Sequence, residues 1–184
     1  MRMTRAELDK SLELHQKWLD NSPEGRRLHL HDIDLHDVNL PDTNLISADF
    51  YGTNLSGVNF YGTNLSNANL YDTNLSSADL KGANLYGTVL YGVNLDGADL
   101  RWVNWHEAKG LKVYEAQLNS SRENAQLVYI PSLDVATTGC WQGSWKDTKE
   151  RVDKVYKNTD AAIYKKYQLA FKYIEEQIDA DRKS

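Results

Sequence analysis

"YGTNLSGVNFYGTNLSNANLYDTNLSSADL", residues 51–80, decides the fold. It repeats every five residues, and every ten it restarts with Tyr. Followed outward in both directions, the five-residue beat continues without a slip. With Leu30 as the reference position, every fifth residue from Leu30 to Trp105 is Leu, Phe or Trp, sixteen positions in all. Two residues before each reference position stands a small or medium residue, such as Val38, Ala48, Thr53 or Ala68. The position just before the reference is Asn or Asp in fourteen of sixteen cases, with His29 and Val89 the exceptions.

A helix of period 3.6 or a strand of period 2 cannot hold this pattern over some 80 residues. A chain that turns a corner every five residues can. Large reference residues and the small ones two before them point inward and fill a tube, while the other three positions point outward. Such long-range periodicity dominates any local propensity. Here residues 28–107 resemble the pentapeptide repeat family, whose pattern is A(D/N)LXX. "SADF", "SNANL", "SSADL", "GANL" and "DGADL" are near-ideal copies. The resemblance implies a mainly β fold: a right-handed quadrilateral parallel β-helix with four pentapeptides per coil, hence about four coils. At strand spacing of about 4.8 Å per coil the tube is roughly 19 Å long. Stacked coils bond backbone to backbone, and columns of Asn add amide ladders.

Two open tube ends need covers. The flanks suggest an organisation of residues 1–27 as an N-terminal capping helix, 28–107 as the β-helix and 108–184 as a small α+β capping module. "TRAE" at Thr4–Glu7 reads as a capping box. Leu8, Leu12, His15 and Leu19 fall on one face of a helix over 5–20, which Pro23 and Gly25 end, with Trp18 as an anchor. Beyond Trp105, the runs "AQLVYI" and "DVATTGC", separated by "PS", predict a strand hairpin. "SWKD" at Ser144–Asp147 starts a helix, and Ile163, Tyr167, Ala170, Phe171, Ile174 and Ile178 make the apolar stripe of a second. The flanks also resemble those of phage-encoded pentapeptide repeat proteins, in "LxxHxxWL" at Leu12–Leu19 and in "GCW" before a terminal helix pair.

Composition sets the function classes. The net charge of −5 disfavours a direct grip on nucleic acid. No run approaches the ~20 apolar residues of a membrane span, and the N-terminus lacks a signal-peptide core. One cysteine, Cys140, excludes an internal disulfide framework and suits a reducing compartment, so a cytoplasmic location is expected. Cys140 itself reads as a packed strand residue rather than a nucleophile. No HExxH, CxxC or phosphate-cradling glycine loop is present. The chain reads as a non-enzyme that needs no cofactor and no metal. His29 and His31, flanking Leu30 near Asp32 and Asp49, read first as a solvated rim rather than a metal site.

Charge is unevenly spread. Residues 28–105 hold nine Asp against one Lys and one Arg. With twenty residues per coil, His31, Tyr51, Tyr71 and Tyr91 fall in one column, beside Asp32, Asp49 and Asp72. The adjacent face carries Asp34, Asp37 and Asp96. These two faces hold six Asp and no Lys or Arg. The candidate partner-binding residues are therefore Asp32, Asp34, Asp37, Asp49, Tyr51, Tyr71, Asp72, Tyr91 and Asp96. A B-DNA segment of the same length holds roughly eleven charges, a comparable but higher density. Family members that protect DNA gyrase act as DNA mimics, through rod shape and acidic surface. This sequence differs in its short tube, in lacking a loop insertion in the repeat, and in its sizeable C-terminal module. The resemblance implies a binding or inhibitor protein, phage-related, for a basic DNA-handling or defence protein such as a topoisomerase or nuclease. A structural role remains open, in which the Tyr column and the neutral fourth face make a homo-oligomer. So does a purely local one, since aromatic columns stabilise cross-strand stacking by themselves.

Overall fold

The structure is a computed structural model that describes residues 3–118 and 126–183. The chain divides into two compact units, Met1–Leu111 and Lys112–Ser184.

The first unit is the tube. Parallel bridges join residues twenty apart, from His29–Asp49 through to Val89–Lys109, so one circuit takes twenty residues and four corners. Every reference residue from Leu30 to Trp105 is buried, at 0–3% exposure. The small residues two before them are buried through the middle of the tube. Ile33, Val38 and Thr43 at its start and Val93 near its end are half-buried. Buried hydroxyls are satisfied along the tube axis. Thr63, Thr73 and Thr88 donate to the carbonyls of Leu40, Phe50 and Leu65, at 2.6, 2.9 and 2.7 Å, and Thr53 donates to that of Leu30.

The corners follow from backbone sterics. The carbonyl of the reference residue accepts the N–H three residues on, as Leu45 does from Ala48 at 3.0 Å. The residue two after the reference has positive φ at all sixteen positions from Asp32 to Glu107. That is a type II turn, which favours Gly, Asn or Asp at this place. The residue before the reference locks the same corner. Asn69 Oδ1 accepts the Tyr71 N–H at 3.2 Å, and Asn59, Asn64, Asn74 and Asn84 repeat the bond. Its amide also reaches one circuit back: Asn74 donates to Asn54 at 3.1 Å and Asn104 to Asn84 at 2.8 Å. The expected amide ladders are thus present.

Helix α1 (Arg5–Leu19) packs on the first circuit. Its capping box is complete, with Thr4 N–H donating to Glu7 at 2.8 Å and Glu7 N–H to Thr4 Oγ1 at 3.3 Å. Leu8 and His15 are its buried residues. His15 Nδ1 accepts the Leu28 N–H at 3.1 Å, which ties helix to tube. The expected anchor, Trp18, is instead 36% exposed and stacks on His15 at 5.6 Å. Helical geometry puts Trp18 about 60° round the helix from His15, at the edge of the Leu8–His15 stripe, so it covers the imidazole rather than the tube.

The second unit corrects two expectations. The hairpin is a four-stranded antiparallel sheet in the order β1 (Tyr114–Gln117), β2 (Gln126–Ile130), β3 (Val135–Thr138), β4 (Trp141–Gly143). Ala125, at the head of the predicted first run, lies outside the described residues. The two unforeseen strands are only four and three residues long, so propensity alone does not mark them. Cys140 is exposed, not packed in a strand, because Gly139 takes φ 56° and turns the chain between β3 and β4. Ser144 caps helix α2 (Trp145–Tyr156), accepting the Asp147 N–H at 3.1 Å. Helix α3 (Ala161–Lys183) buries Tyr167, Ala170, Phe171 and Ile174 against Ala116, Leu118, Leu127 and Val152.

Candidate functional site

The tyrosine column is built as its spacing implies. Tyr51, Tyr71 and Tyr91 all follow a reference residue on one side of the tube and are 41%, 40% and 53% exposed. The Tyr51 and Tyr71 rings stack at 5.6 Å and 16°, and Tyr71 and Tyr91 sit 6.4 Å apart. His31 extends the column, 5.8 Å from Tyr51. The spacing is the circuit height, so the wall itself sets the ladder. Four aromatic rings thus make one pre-organised apolar strip with polar tips facing water.

Of the nine residues singled out by sequence, the three tyrosines make this column and the six acids divide into two groups. Asp32, Asp37, Asp72 and Asp96 are exposed and have no basic partner among the described residues. Asp32, Asp37 and Asp72 stand at left-handed corners, φ 53°, 59° and 53°. Their residue type therefore meets a turn requirement as well as supplying charge. Asp34 and Asp49 are engaged in the wall. Asp34 accepts from His36 Nδ1 at 2.8 Å and Asn54 Nδ2 at 2.9 Å, and the His36 bond holds its carboxyl below the usual range. Burial pushes the Asp49 carboxyl up, but bonds from His31 and the Tyr51 N–H outweigh it and leave it lowered.

Around Asp49 the groups draw together. His31 Nε2 lies 2.7 Å from Asp49 Oδ2, and His29 Nδ1 lies 3.5 Å from the same oxygen. Arg27 stands 3.8 Å off and donates to His29 Nε2 at 3.2 Å. One nitrogen from each imidazole and one carboxylate oxygen fall within 4.8 Å of one another, a donor set suited to a cation. His29 and His31 do come together as expected, with Asp49 between them rather than Asp32.

A second side holds residues that the sequence reading passed over. Tyr61, 44% exposed, has the Lys81 ammonium 5.5 Å from its ring. Arg101 pairs with Asp99, and that bond holds the Asp99 carboxyl below its usual range. Trp102 is 45% exposed and takes φ 65° at a corner where the column otherwise reads Asp42, Gly62, Gly82. A bulky residue in the left-handed region is an outlier that costs about 1 kcal/mol or more. The signal was available in the sequence as the one aromatic in a turn column.

No helix among the described residues is long and apolar enough to cross a membrane. Residues 29–67 and 68–104 match the family described as Pentapeptide repeats, in eight copies. The chain belongs to the pentapeptide repeat family. The β-helix built above is the fold of that family, a right-handed quadrilateral. Among solved relatives, alr5209 from Nostoc PCC 7120 is 33% identical, covering 47% of this chain and 71% of that one, with a TM-score of 0.26. HetL from Nostoc, a pentapeptide repeat protein involved in heterocyst differentiation regulation, is 29% identical over 41% of this chain, with a TM-score of 0.24. QnrB1, a plasmid-mediated fluoroquinolone resistance protein, is 19% identical, covering 47% of this chain and 57% of that one, with a TM-score of 0.28. The chain spans 40% of the length of HetL. No curated protein matches it.

Proposed function

We propose that this pentapeptide repeat protein is a non-enzymatic binding protein whose short tube, about four coils long, docks a basic DNA-handling protein. The observation that carries the reading is the exposed Tyr51–Tyr71–Tyr91 strip beside the unpaired corner acids Asp32, Asp37 and Asp72. Stiff aromatic rings lose little entropy on docking and supply contact area. Unpaired carboxylates steer a basic surface toward them and fix its register. The partner class is a topoisomerase, nuclease or defence complex of the kind that phage-encoded inhibitors engage. The charges sit on rigid turns, as the phosphates of DNA sit on a stiff duplex, which favours mimicry over flexible contact.

The test is capture of purified basic DNA-binding proteins of that class by the immobilised chain. Retention is expected at low salt and loss at high salt. A triple variant, Asp32→Asn with Asp37→Asn and Asp72→Asn, is expected to abolish capture while melting near the parent temperature, because Asn removes the charge yet enters the left-handed corner as Asp does. Capture unchanged in that variant would remove the acidic face from the account. A second chain of the same protein captured in place of a basic one would favour the self-assembly role of the Tyr strip.

A further inference from the structure

We propose that His29, His31 and Asp49 form a binding site for a borderline divalent transition-metal cation such as Zn2+ at the head of the tyrosine column. The repeat states what each position needs. His29 stands where the wall takes Asn or Asp, and His31 stands where its column takes Tyr. Asp49 stands where Asn69, one circuit on, does the same wall work as an amide. Two departures from the repeat, His29 and His31, thus meet at one wall acid.

At Asp49 the choice of Asp over Asn matters. Its Oδ1 does the work of the wall, accepting the Tyr51 N–H at 3.3 Å and Asn69 Nδ2 at 2.9 Å. An Asn would supply that oxygen equally well. The difference between Asp and Asn lies in the other atom, and Asp49 Oδ2 is the atom that faces His31 Nε2 and His29 Nδ1. An amide nitrogen there would repel a cation, whereas a carboxylate oxygen is a ligand. The carboxylate is also held in place by the two wall bonds. Such outer contacts orient metal ligands and strengthen binding.

Geometry and donor type agree. Ligand atoms about 2.1 Å from a tetrahedral Zn2+ lie roughly 3.4 Å apart. The His29–Asp49 separation, 3.5 Å, already fits, and the 2.7 Å His31 contact opens by a small ring rotation. Both imidazoles are about half-exposed, at 51% and 48%, so water completes the shell. Two imidazoles and one carboxylate select Zn2+, Ni2+ or Cu2+ over Mg2+ or Ca2+. Arg27 is the competing cation. It must leave His29 Nε2, and at 41% exposure it is free to swing into solvent. Bound metal would fix His31 against Tyr51 and so stiffen the head of the strip.

The experiment is titration calorimetry of untagged full-length chain carrying Cys140→Ser, since that exposed thiol would compete. The expected result is one equivalent of Zn2+ bound at micromolar concentration, no uptake of Mg2+, and a melting temperature raised by zinc. His29→Ala, His31→Ala and Asp49→Asn are each expected to weaken binding by at least about tenfold. Asp49→Asn keeps the wall bonds, so its loss of zinc would not reflect misfolding. His36→Ala, at the Asp34 pair, is expected to leave binding intact. Absence of zinc uptake would mean the cluster is an ion-pair network only and would overturn the proposal. So would zinc uptake that survives the combined His29→Ala and His31→Ala substitutions.

Discussion

The carboxylate of Asp72 lies over Gly92, one circuit further on. A Cβ at Gly92 would stand 1.9 Å from Asp72 Oδ1, and Gly92 itself has φ 69°. The same relationship joins Asp32 with Gly52, Asp37 with Gly57 and Asp42 with Gly62, at 2.3, 2.2 and 2.2 Å. The four corner acids Asp32, Asp37, Asp42 and Asp72 are therefore each paired with a glycine twenty residues later. Gly92→Ala is expected to lower stability by about 1–2 kcal/mol, from left-handed strain plus displacement of Asp72. In an Asp72→Gly background the displacement is gone and only the strain remains. Urea unfolding of the double-mutant cycle should therefore be non-additive, and additivity would mean the carboxylate is not held over Gly92.

His15 gives the tube end a pH dependence. Its Nδ1 must be unprotonated to accept the Leu28 N–H, and Nε2 is buried with no partner among the described residues. Burial, with Arg27 and His29 adding to it, pushes the imidazole below its ordinary value of 6.5. A depressed pKa means the unfolded chain binds more protons. The associated stability is complete above about pH 6.5 and is lost as pH falls through the lower folded value. NMR titration is expected to place the His15 midpoint below 6.5. His15→Phe is expected to cost about 1–3 kcal/mol at neutral pH by orphaning the Leu28 N–H. A His15 midpoint above 6.5 would contradict the buried neutral ring.

Legibility differs between the two units for a physical reason. In the tube every position repeats its environment each circuit, so sixteen copies vote on each role and the inward Leu, the Asn ladder and the Tyr column are all readable. What the repeat hides is double duty. Asp32, Asp37 and Asp72 read as surface charge, yet the corner also demands them, because only Gly, Asn and Asp enter the left-handed region readily. Asp49 reads as one more wall acid until its two oxygens are seen to face different partners. Trp102 breaks a column that reading by face, rather than by turn position, passes over. In the second unit no repeat helps. Helices α2 and α3 are readable from an N-cap and a stripe, but β1 and β4 exist through pairing, Tyr114 with Tyr129 and Thr138 with Trp141, which no short run announces.

The second unit has its own core, and its keystone is Ile174. The residue is fully buried, 0% exposed, among Leu127, Val152 and Phe171. Ile174→Ala is expected to cost about 2–5 kcal/mol by removing apolar contact and leaving a cavity. Tyr114 Oη donates to Asp181 Oδ2 at 2.7 Å, and burial with that carboxylate pushes the phenol up to about 12. In the Ile174→Ala variant the signal of the second unit in thermal melts should move down while the tube transition stays. One merged transition that moves as a whole would show that the two units unfold together.

Trp102 tests whether exposed aromatics here are kept against stability. Its side chain is 45% exposed, so little packing is lost on truncation, while φ 65° is a conformation that glycine adopts freely. Gly62 and Gly82 hold the same corner in the two preceding circuits with φ 64° and 71°. Trp102→Gly is therefore expected to raise stability by about 1 kcal/mol, because the strain relieved exceeds the added unfolded-state entropy. Trp102→Ala keeps the strain and should gain nothing. Urea midpoints of the two variants separate these effects. A Gly variant less stable than the parent would mean that the indole packs against its neighbours in a way that offsets the strain. A more stable one that captures less of a basic partner would mark Trp102, on its own side of the tube, as a further contact retained for binding.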